Sequence, residues 1–377
     1  MAVTLGDRMA ELDRAQPGTA DGPALQPQAR VWVLDDPRVG TANQAIGIAE
    51  RLGVPFRRIP LMWNPWTAHL AGLVPGGSLA GLRQPSRGIA AELARSAAGM
   101  SLPPARLVQG GRLVLGDGTP PRPDVVISAG RRSGAVALWM KSQFGCRIVH
   151  CMNPGLGGLW RHGMFDMLVI PEHDRPAAAP NVFPVLGAPH RVSPLLLSQA
   201  RASWRERLAH LPGPLVALLV GGPVRGIDMP PALAHALGKQ VARLAVASGG
   251  MVLATTSRRT GREATEALSA GLSSALHLIY RWGEPGENPY HGFLASADAI
   301  VITADSISMI SEACASTAAV YVAVPELAGP RHHRFAQTLF QAGHARALGN
   351  SIARWPRPPL DEAGRVAEEI RRRFALD

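Results

Sequence analysis

From residue 31 onward, short apolar runs alternate with glycine, proline or polar turns and then with helical patterns. Val31-Trp32-Val33-Leu34 reads as a first strand, Asp35 to Gly40 as its turn, and Thr41 to Arg51 as a helix with Ala42, Ala45, Ile46 and Ala49 on one side. Val54 to Leu61 reads as the next strand, so the chain opens as a βαβ unit with the helix as crossover. Apolar strands follow at 124–129, 146–152, 165–170 and 181–186, which makes 30–192 one α/β domain. Residues 106–115 fit either a strand or a loop, and 89–98 a helix. A helix over 193–208, broken by Pro212-Gly213-Pro214, predicts a linker at 193–214.

The alternation then restarts. Strands are expected at 215–220, 250–255, 275–280, 300–302 and 319–324, with helices at 230–248, 262–269 and 332–342 between and after them. Residues 215–355 thus form a second α/β domain. A final amphipathic helix near 360–374, within a 356–377 segment, is long enough to cross back to the first domain. Residues 1–29 are polar and rich in turn formers, and read as a disordered leader. The expected architecture is two Rossmann-like domains with parallel sheets facing across a cleft, where ligands bind at strand carboxyl ends.

The most informative stretch runs from Ala297 to Cys314. An apolar strand ends in Asp305-Ser306, and a helix begins that carries Ser308, Met309 and Glu312. Free N–H groups of Ser306, Ser308 and Met309 at a helix start suit a phosphate, and a carboxylate at Glu312 suits the two hydroxyls of a ribose. An ordinary capped strand–turn–helix explains the same residues. Gly221-Gly222 allows a diphosphate to approach closely. Ser257 and Arg258 end the next strand, and Asn288 and Tyr290 precede a helix. Together these describe a nucleotide, and Asp305, Ser306, Ser308 and Glu312 form its main group.

In the first domain, Gly40, Asn43 and Gln44 follow the first strand end and either face a bound polar molecule or are solvated. Gly130-Arg131-Arg132-Ser133-Gly134 is either a second anion site or a solvated glycine-rich loop. A base that deprotonates an acceptor hydroxyl is expected from this side. Asp36 leads, with Glu172, His173 and Asp174 as rivals, although Asp174 can simply orient His173. Arg131 can stabilise a leaving phosphate or hold an anionic acceptor. His291, His332 and His333 are weaker candidates.

Composition narrows the classes. The chain has 377 residues, 46% hydrophobic, with a net charge of +11. Such a charge favours anionic partners without choosing among them. Aromatic content is 5%, and no finger or basic–aromatic repeat is present, so nucleic acid is not expected. Cys146, Cys151 and Cys314 make no disulfide framework and read as reduced. No secretory signal or uninterrupted spanning run is evident, so a cytoplasmic protein is expected. Trp63 and Trp66, in an aperiodic apolar stretch flanked by arginines, leave open a peripheral contact with the inner face of the membrane. There is no GxGxxG fingerprint, Walker lysine or closed metal site, so neither a bound metal nor a permanent cofactor is expected.

Asp35-Asp36-Pro37-Arg38-Val39-Gly40-Thr41-Ala42-Asn43-Gln44, Gly130-Arg131-Arg132, Val169-Ile170-Pro171-Glu172-His173-Asp174, Gly221-Gly222-Pro223, Thr256-Ser257-Arg258-Arg259-Thr260 and Ile302 to Ala313 resemble the motifs of the ELM1-like family. The resemblance covers roughly residues 30–350. Its bacterial members resemble glycosyltransferases of the two-Rossmann-domain GT-B class. That implies a nucleotide-diphosphate sugar held by the second domain as co-substrate, an acceptor held by the first, and no metal. The implied activity is transfer to an envelope glycan or lipid-linked acceptor. Two alternatives remain: a non-catalytic membrane-associated adaptor on the same fold, and a sugar-nucleotide epimerase.

Overall fold

The structure is a computed structural model that describes residues 31–61, 108–109, 112–113, 122–154, 163–222 and 229–375. The leader, the Trp63/Trp66 stretch and the expected 89–98 helix lie outside the described residues.

The first sheet is built from β1 (Val31–Asp35), β2 (Phe56–Pro60), β5 (Val125–Ala129), β6 (Arg147–Cys151), β7 (Met167–Pro171) and β8 (Val182–Val185). They lie in the order β2-β1-β5-β6-β7-β8, all parallel, with Val31 level with both Phe56 and Val125. Helix α1 (Val39–Leu52) crosses from β1 to β2, and α2 (Arg131–Phe144) crosses from β5 to β6. The ambiguous 106–115 stretch contains a small antiparallel pair, β3 (Val108–Gln109) and β4 (Arg112–Leu113). β5 and β7 are buried at every position because helices cover both faces, which is why they read as unbroken apolar runs.

Helix α3 (Pro194–Leu208), capped by Ser193, leads to the second sheet. Its strands are β9 (Leu215–Val220), β10 (Met251–Thr256), β11 (His277–Tyr280), β12 (Ala299–Thr303), β13 (Ala319–Ala323) and β14 (Arg346–Ala347). The order is β11-β10-β9-β12-β13-β14, again parallel. The edge strand β14 escapes sequence reading because two residues carry no period. On one face lie α4 (Pro231–Ala247) and α5 (Arg262–Leu272), which share a core of Leu237, Val241, Leu268 and Leu272 with Val216 and Leu218. On the other lie α3, α6 (Tyr290–Ser296), α7 (Ile307–Cys314) and α8 (Pro330–Gln341), closed around Leu219, Ile300, Ile302, Phe293 and Phe335.

The last helix, α9 (Glu362–Phe374), is capped by Asp361 and buries Val366, Ala367 and Ile370 against the first sheet's core beside α1. Arg371 Nη2 donates to the carbonyls of Arg51 and Leu52 at 2.6 and 3.0 Å, which satisfies acceptors that the end of α1 leaves open. No described helix is long and apolar enough to cross a membrane.

Candidate functional site

Strand order fixes where a crevice opens. In the first sheet the order reverses between β1 and β5, and in the second between β9 and β12. At such a switch point the helices leave toward opposite faces, so the carboxyl ends are uncovered. The turns there are Asp36–Arg38 and Gly130 in one domain, and Gly221-Gly222 and Ala304–Ser306 in the other. The two sets approach each other across a cleft of about 470 Å³, lined on one side by Arg38, Gly40, Thr41, Gln44, Met152, Pro171 and Ala188. The opposite wall is Arg259, Asp305, Ser306, Ile307, Ser308, Arg331 and His332. The walls come close: a Cβ on Gly40 would meet Ser308 Oγ at 3.4 Å.

Ser306 sets the start of α7. Its extended backbone (φ −128°) and its Oγ, which accepts from Met309 N at 3.4 Å, make it the N-cap. The positive end of α7 therefore meets the cleft at Ser306, Ile307 and Ser308. Met309 N–H is engaged by this cap, and the Met309 side chain packs on the domain core.

Asp305 is buried at 2% exposure. Its Oδ2 accepts from Gly222 N at 2.9 Å and pairs with Arg259 Nη2 at 3.1 Å, while its Oδ1 is buried without a partner. These bonds explain the adjacent glycines. A Cβ on Gly221 would lie 2.3 Å from Asp305 Oδ2, and one on Gly222 would lie 2.2 Å from the Arg259 carbonyl. Gly221 N donates to Thr303 Oγ1 at 2.9 Å. The open sides of both glycines, and both N–H groups, are thus occupied by protein rather than held open for a diphosphate.

The turn after β10 is tightened by Thr260, whose Oγ1 accepts from Ser257 N at 3.0 Å. It carries Arg259 over Gly222, whose carbonyl accepts from Arg259 Nη1, and leaves Arg258 exposed. Arg259, not Arg258, lines the cleft. Ser257 Oγ accepts from Arg259 N at 3.3 Å and so stands behind it.

Asp36 is buried and accepts from Arg38 N at 2.9 Å, which holds the turn that begins α1 two residues earlier than the sequence pattern indicates. Gln44 Nε2 donates to Gly40 O at 3.3 Å. Asn43 is half-buried and does not line the cleft. Gly130 has φ +85°, and a Cβ there would meet Thr41 Cγ2 at 2.8 Å, so glycine lets the starts of α1 and α2 touch. Arg131 opens α2 as an exposed residue outside the cleft lining.

The Glu172–Asp174 turn after β7 faces α8. Glu172 is exposed. His173 is 2% exposed, stacks edge-on against Phe335 at 5.0 Å, and makes no hydrogen bond through its ring nitrogens. Burial, and then the neighbouring arginines, hold its pKa down at about 4, against the pull of Asp174. Asp174 grips Arg331 with two 2.7 Å bonds, and Arg334 donates to His173 O at 3.2 Å. His332 also has a pKa lowered by burial and by Arg331, and its Nδ1 is buried without a partner.

Glu312 is half-buried on α7 and accepts from Tyr290 Oη at 2.6 Å. Burial pushes its carboxyl up to about 7, and the Tyr290 bond pulls the other way. Burial and the Glu312 charge raise Tyr290 well above the usual phenol range. Asn288 Oδ1 accepts from Tyr290 N at 3.0 Å and starts α6. Glu312 and Tyr290 form one pair, and neither lines the cleft.

Of the sequence-derived set, Gly40, Gln44, Asp305, Ser306 and Ser308 line the cleft, and Gly221, Gly222 and Ser257 support it through Asp305 and Arg259. Sequence reading missed Arg38, Arg259 and Arg331, which line the same cleft as Asp305 and His332. Among the described residues no group of three or more His, Cys, Asp or Glu side chains is placed to hold a metal ion.

Two six-stranded parallel sheets whose carboxyl ends meet at one cleft define a two-domain α/β protein of the GT-B-like class. The family model described as mitochondrial fission ELM1 matches residues 39–374, so the chain belongs to that family. The mitochondrial fission protein ELM1 of Arabidopsis thaliana is 30% identical over 236 residues, a match that takes in 56% of this chain and 55% of that protein. The chain thus spans about half the length of that relative. An uncharacterized protein of Rickettsia prowazekii, RP120, is 26% identical over 92% of this chain and 98% of its own. Among solved structures, the UDP-GlcNAc 2-epimerase of Methanocaldococcus jannaschii in complex with UDP-GlcNAc and UDP is similar at a TM-score of 0.48. It is 14% identical, over 92% of this chain and 99% of that one.

Proposed function

We propose that this chain is a metal-independent glycosyltransferase that moves a sugar from a nucleotide-diphosphate donor to an envelope glycan or lipid-linked acceptor. The observation that carries this reading is the charge pattern of the cleft. Arg38, Arg259 and Arg331 line one space with the start of α7; Arg259 is paired there with Asp305 and Arg331 with Asp174, so three guanidinium groups face two carboxylates. Guanidinium forks and a helix N-terminus neutralise a diphosphate without a metal ion. As the sugar leaves, charge grows on the diphosphate, so the same groups bind the transition state more strongly than the ground state.

The remaining roles follow from what each side chain offers. Asp305 Oδ1 and His332 Nδ1, each without a partner, are suited to hydroxyls of the sugar. Glu312, expected from its sequence position to meet a ribose, is held by Tyr290 outside the cleft lining and takes no part in this reading. On the acceptor side Asp36 is the candidate base, because Glu172 is exposed and His173 and Asp174 are engaged with α8.

A second reading, a non-catalytic binding protein on this fold, draws on the same engagement: His173, Asp174 and Asp36 all have structural work. One experiment separates them. Nucleoside diphosphates and their sugars are screened for binding by calorimetry, and the best donor is incubated with membrane extract and assayed for a glycosylated product. Transfer lost on Asp36→Asn supports the enzyme. Donor binding with neither transfer nor isomerisation supports the binding protein. No binding by any nucleotide ends both nucleotide readings.

A further inference from the structure

The Glu172–Asp174 turn belongs to the first domain, yet its contacts are to α8 of the second. Asp174 holds Arg331 by Nε and Nη2, one edge of the guanidinium, with both bonds at 2.7 Å. An arginine fork has five donors, so Nη1 and one Nη2 hydrogen remain. Arg331 lines the cleft, and it is the member of that wall whose guanidinium is anchored from the opposite domain. Beside this pair, His173 is buried against Phe335, and Arg334 ties the turn's backbone.

We infer that Asp174 is a positioning residue: it reaches across the domain seam to fix Arg331 so that its free edge receives the phosphate groups of the ligand. This rests on the nucleotide-sugar reading for the ligand's identity, but not for its charge. A flexible arginine without an anchor loses rotamer freedom when it binds, and a fixed fork avoids that loss. The anion site is then complete only when the two domains are docked, with the first domain setting the aim of a second-domain side chain.

The test measures binding of inorganic pyrophosphate, a nucleoside diphosphate and the bare nucleoside to the full chain and to Asp174→Ala, Asp174→Glu and Arg331→Gln. The expectation is about tenfold weaker pyrophosphate and diphosphate binding for Asp174→Ala, nucleoside binding unchanged, and most of the loss recovered in Asp174→Glu. Arg331→Gln should lose at least as much as Asp174→Ala, and the double variant Asp174→Ala/Arg331→Gln should be no worse than Arg331→Gln alone. Stronger or unchanged diphosphate binding in Asp174→Ala would mean that Asp174 only neutralises Arg331, and equal losses for nucleoside and diphosphate would mean a merely structural contact. Either overturns the inference, as does a native chain that binds neither pyrophosphate nor a diphosphate. A native chain that binds pyrophosphate but no nucleoside in any form sinks the nucleotide reading and leaves this one standing.

Discussion

Glu312→Gln gives the sharpest physical test, because it separates the cost of keeping a carboxylate from its use. The Glu312 carboxyl titrates near 7 in the folded chain, against an ordinary 4.5. The folded state therefore holds this proton more tightly than the unfolded state does. Below pH 4.5 the group is protonated in both states and costs nothing. As pH rises toward 7 the unfolded chain releases the proton first, so stability falls across that window and is level above it. At about 1.36 kcal/mol per pH unit the full gap sets a ceiling of about 3 kcal/mol. Because Glu312 is only half-buried, about 1–2 kcal/mol is the working expectation. Glutamine keeps the bond from Tyr290 and removes the charge. Urea unfolding of both proteins from pH 4.5 to 8 should give curves that nearly meet at the acid end, with the variant more stable by that amount at pH 8. The difference between the two curves is the observable, since other groups titrate identically in both. A variant of equal or lower stability at pH 8 would show that Glu312 is not held against its charge, and the reasoning from burial would be wrong.

Other outcomes follow from the same structure. Burial holds His150 near 3 and His173 and His190 near 4, so as pH falls below 6.5 the unfolded chain takes up protons that the folded chain refuses; urea midpoints should drop steeply from pH 6.5 to 4. Gly222→Ala forces a methyl group within 2.2 Å of the Arg259 carbonyl, and should lower stability by roughly 1–3 kcal/mol in denaturant titration while weakening diphosphate binding through Arg259. Ser306→Ala removes the α7 cap and should cost about 1 kcal/mol in the same titration. Arg259→Gln should reduce nucleoside diphosphate affinity in calorimetry, whereas Arg258→Gln should leave it unchanged, because only Arg259 lines the cleft.

The alternation of strand and helix was legible because the parallel strands are covered on both faces. β5, β7, β12 and β13 are buried at every position, and a strand of that kind must be an apolar run. β14 was not legible, because its two exposed residues are placed by pairing with Tyr321 and Val322 rather than by their own pattern. Within the site, Gly40, Asp305, Ser306 and Ser308 could be found because position at a strand end is a local property. Arg259 and Arg258 could not be told apart, since the choice depends on Thr260 folding the turn back on Ser257. Arg331 was missed because its place in the cleft depends on Asp174, 157 positions away. Gly221 and Gly222 show a subtler limit. Sequence marks positions where a side chain is excluded, but not whether ligand or protein fills the space.

That limit bears on how this cleft works. Many of the polar residues at the strand ends hold other strand ends: Asp305 holds Gly222 and Arg259, Asp174 holds Arg331, and Ser311 Oγ accepts from Ala188 N at 2.9 Å across the two domains. A separate pair of contacts, Arg51 with Asp361 and Glu362 with Leu186 N, ties the chain's last segment to the first domain. The cleft is therefore shaped by bonds between its walls as much as by either wall alone. A ligand anion that enters must share Arg259 with Asp305 and Arg331 with Asp174, two carboxylates already seated. Such sharing lowers the net affinity of each arginine but fixes its direction, and selection then falls on geometry rather than on charge alone. A cleft built this way should distinguish a diphosphate from an equal charge of sulfate more strongly than a loose cluster of arginines would.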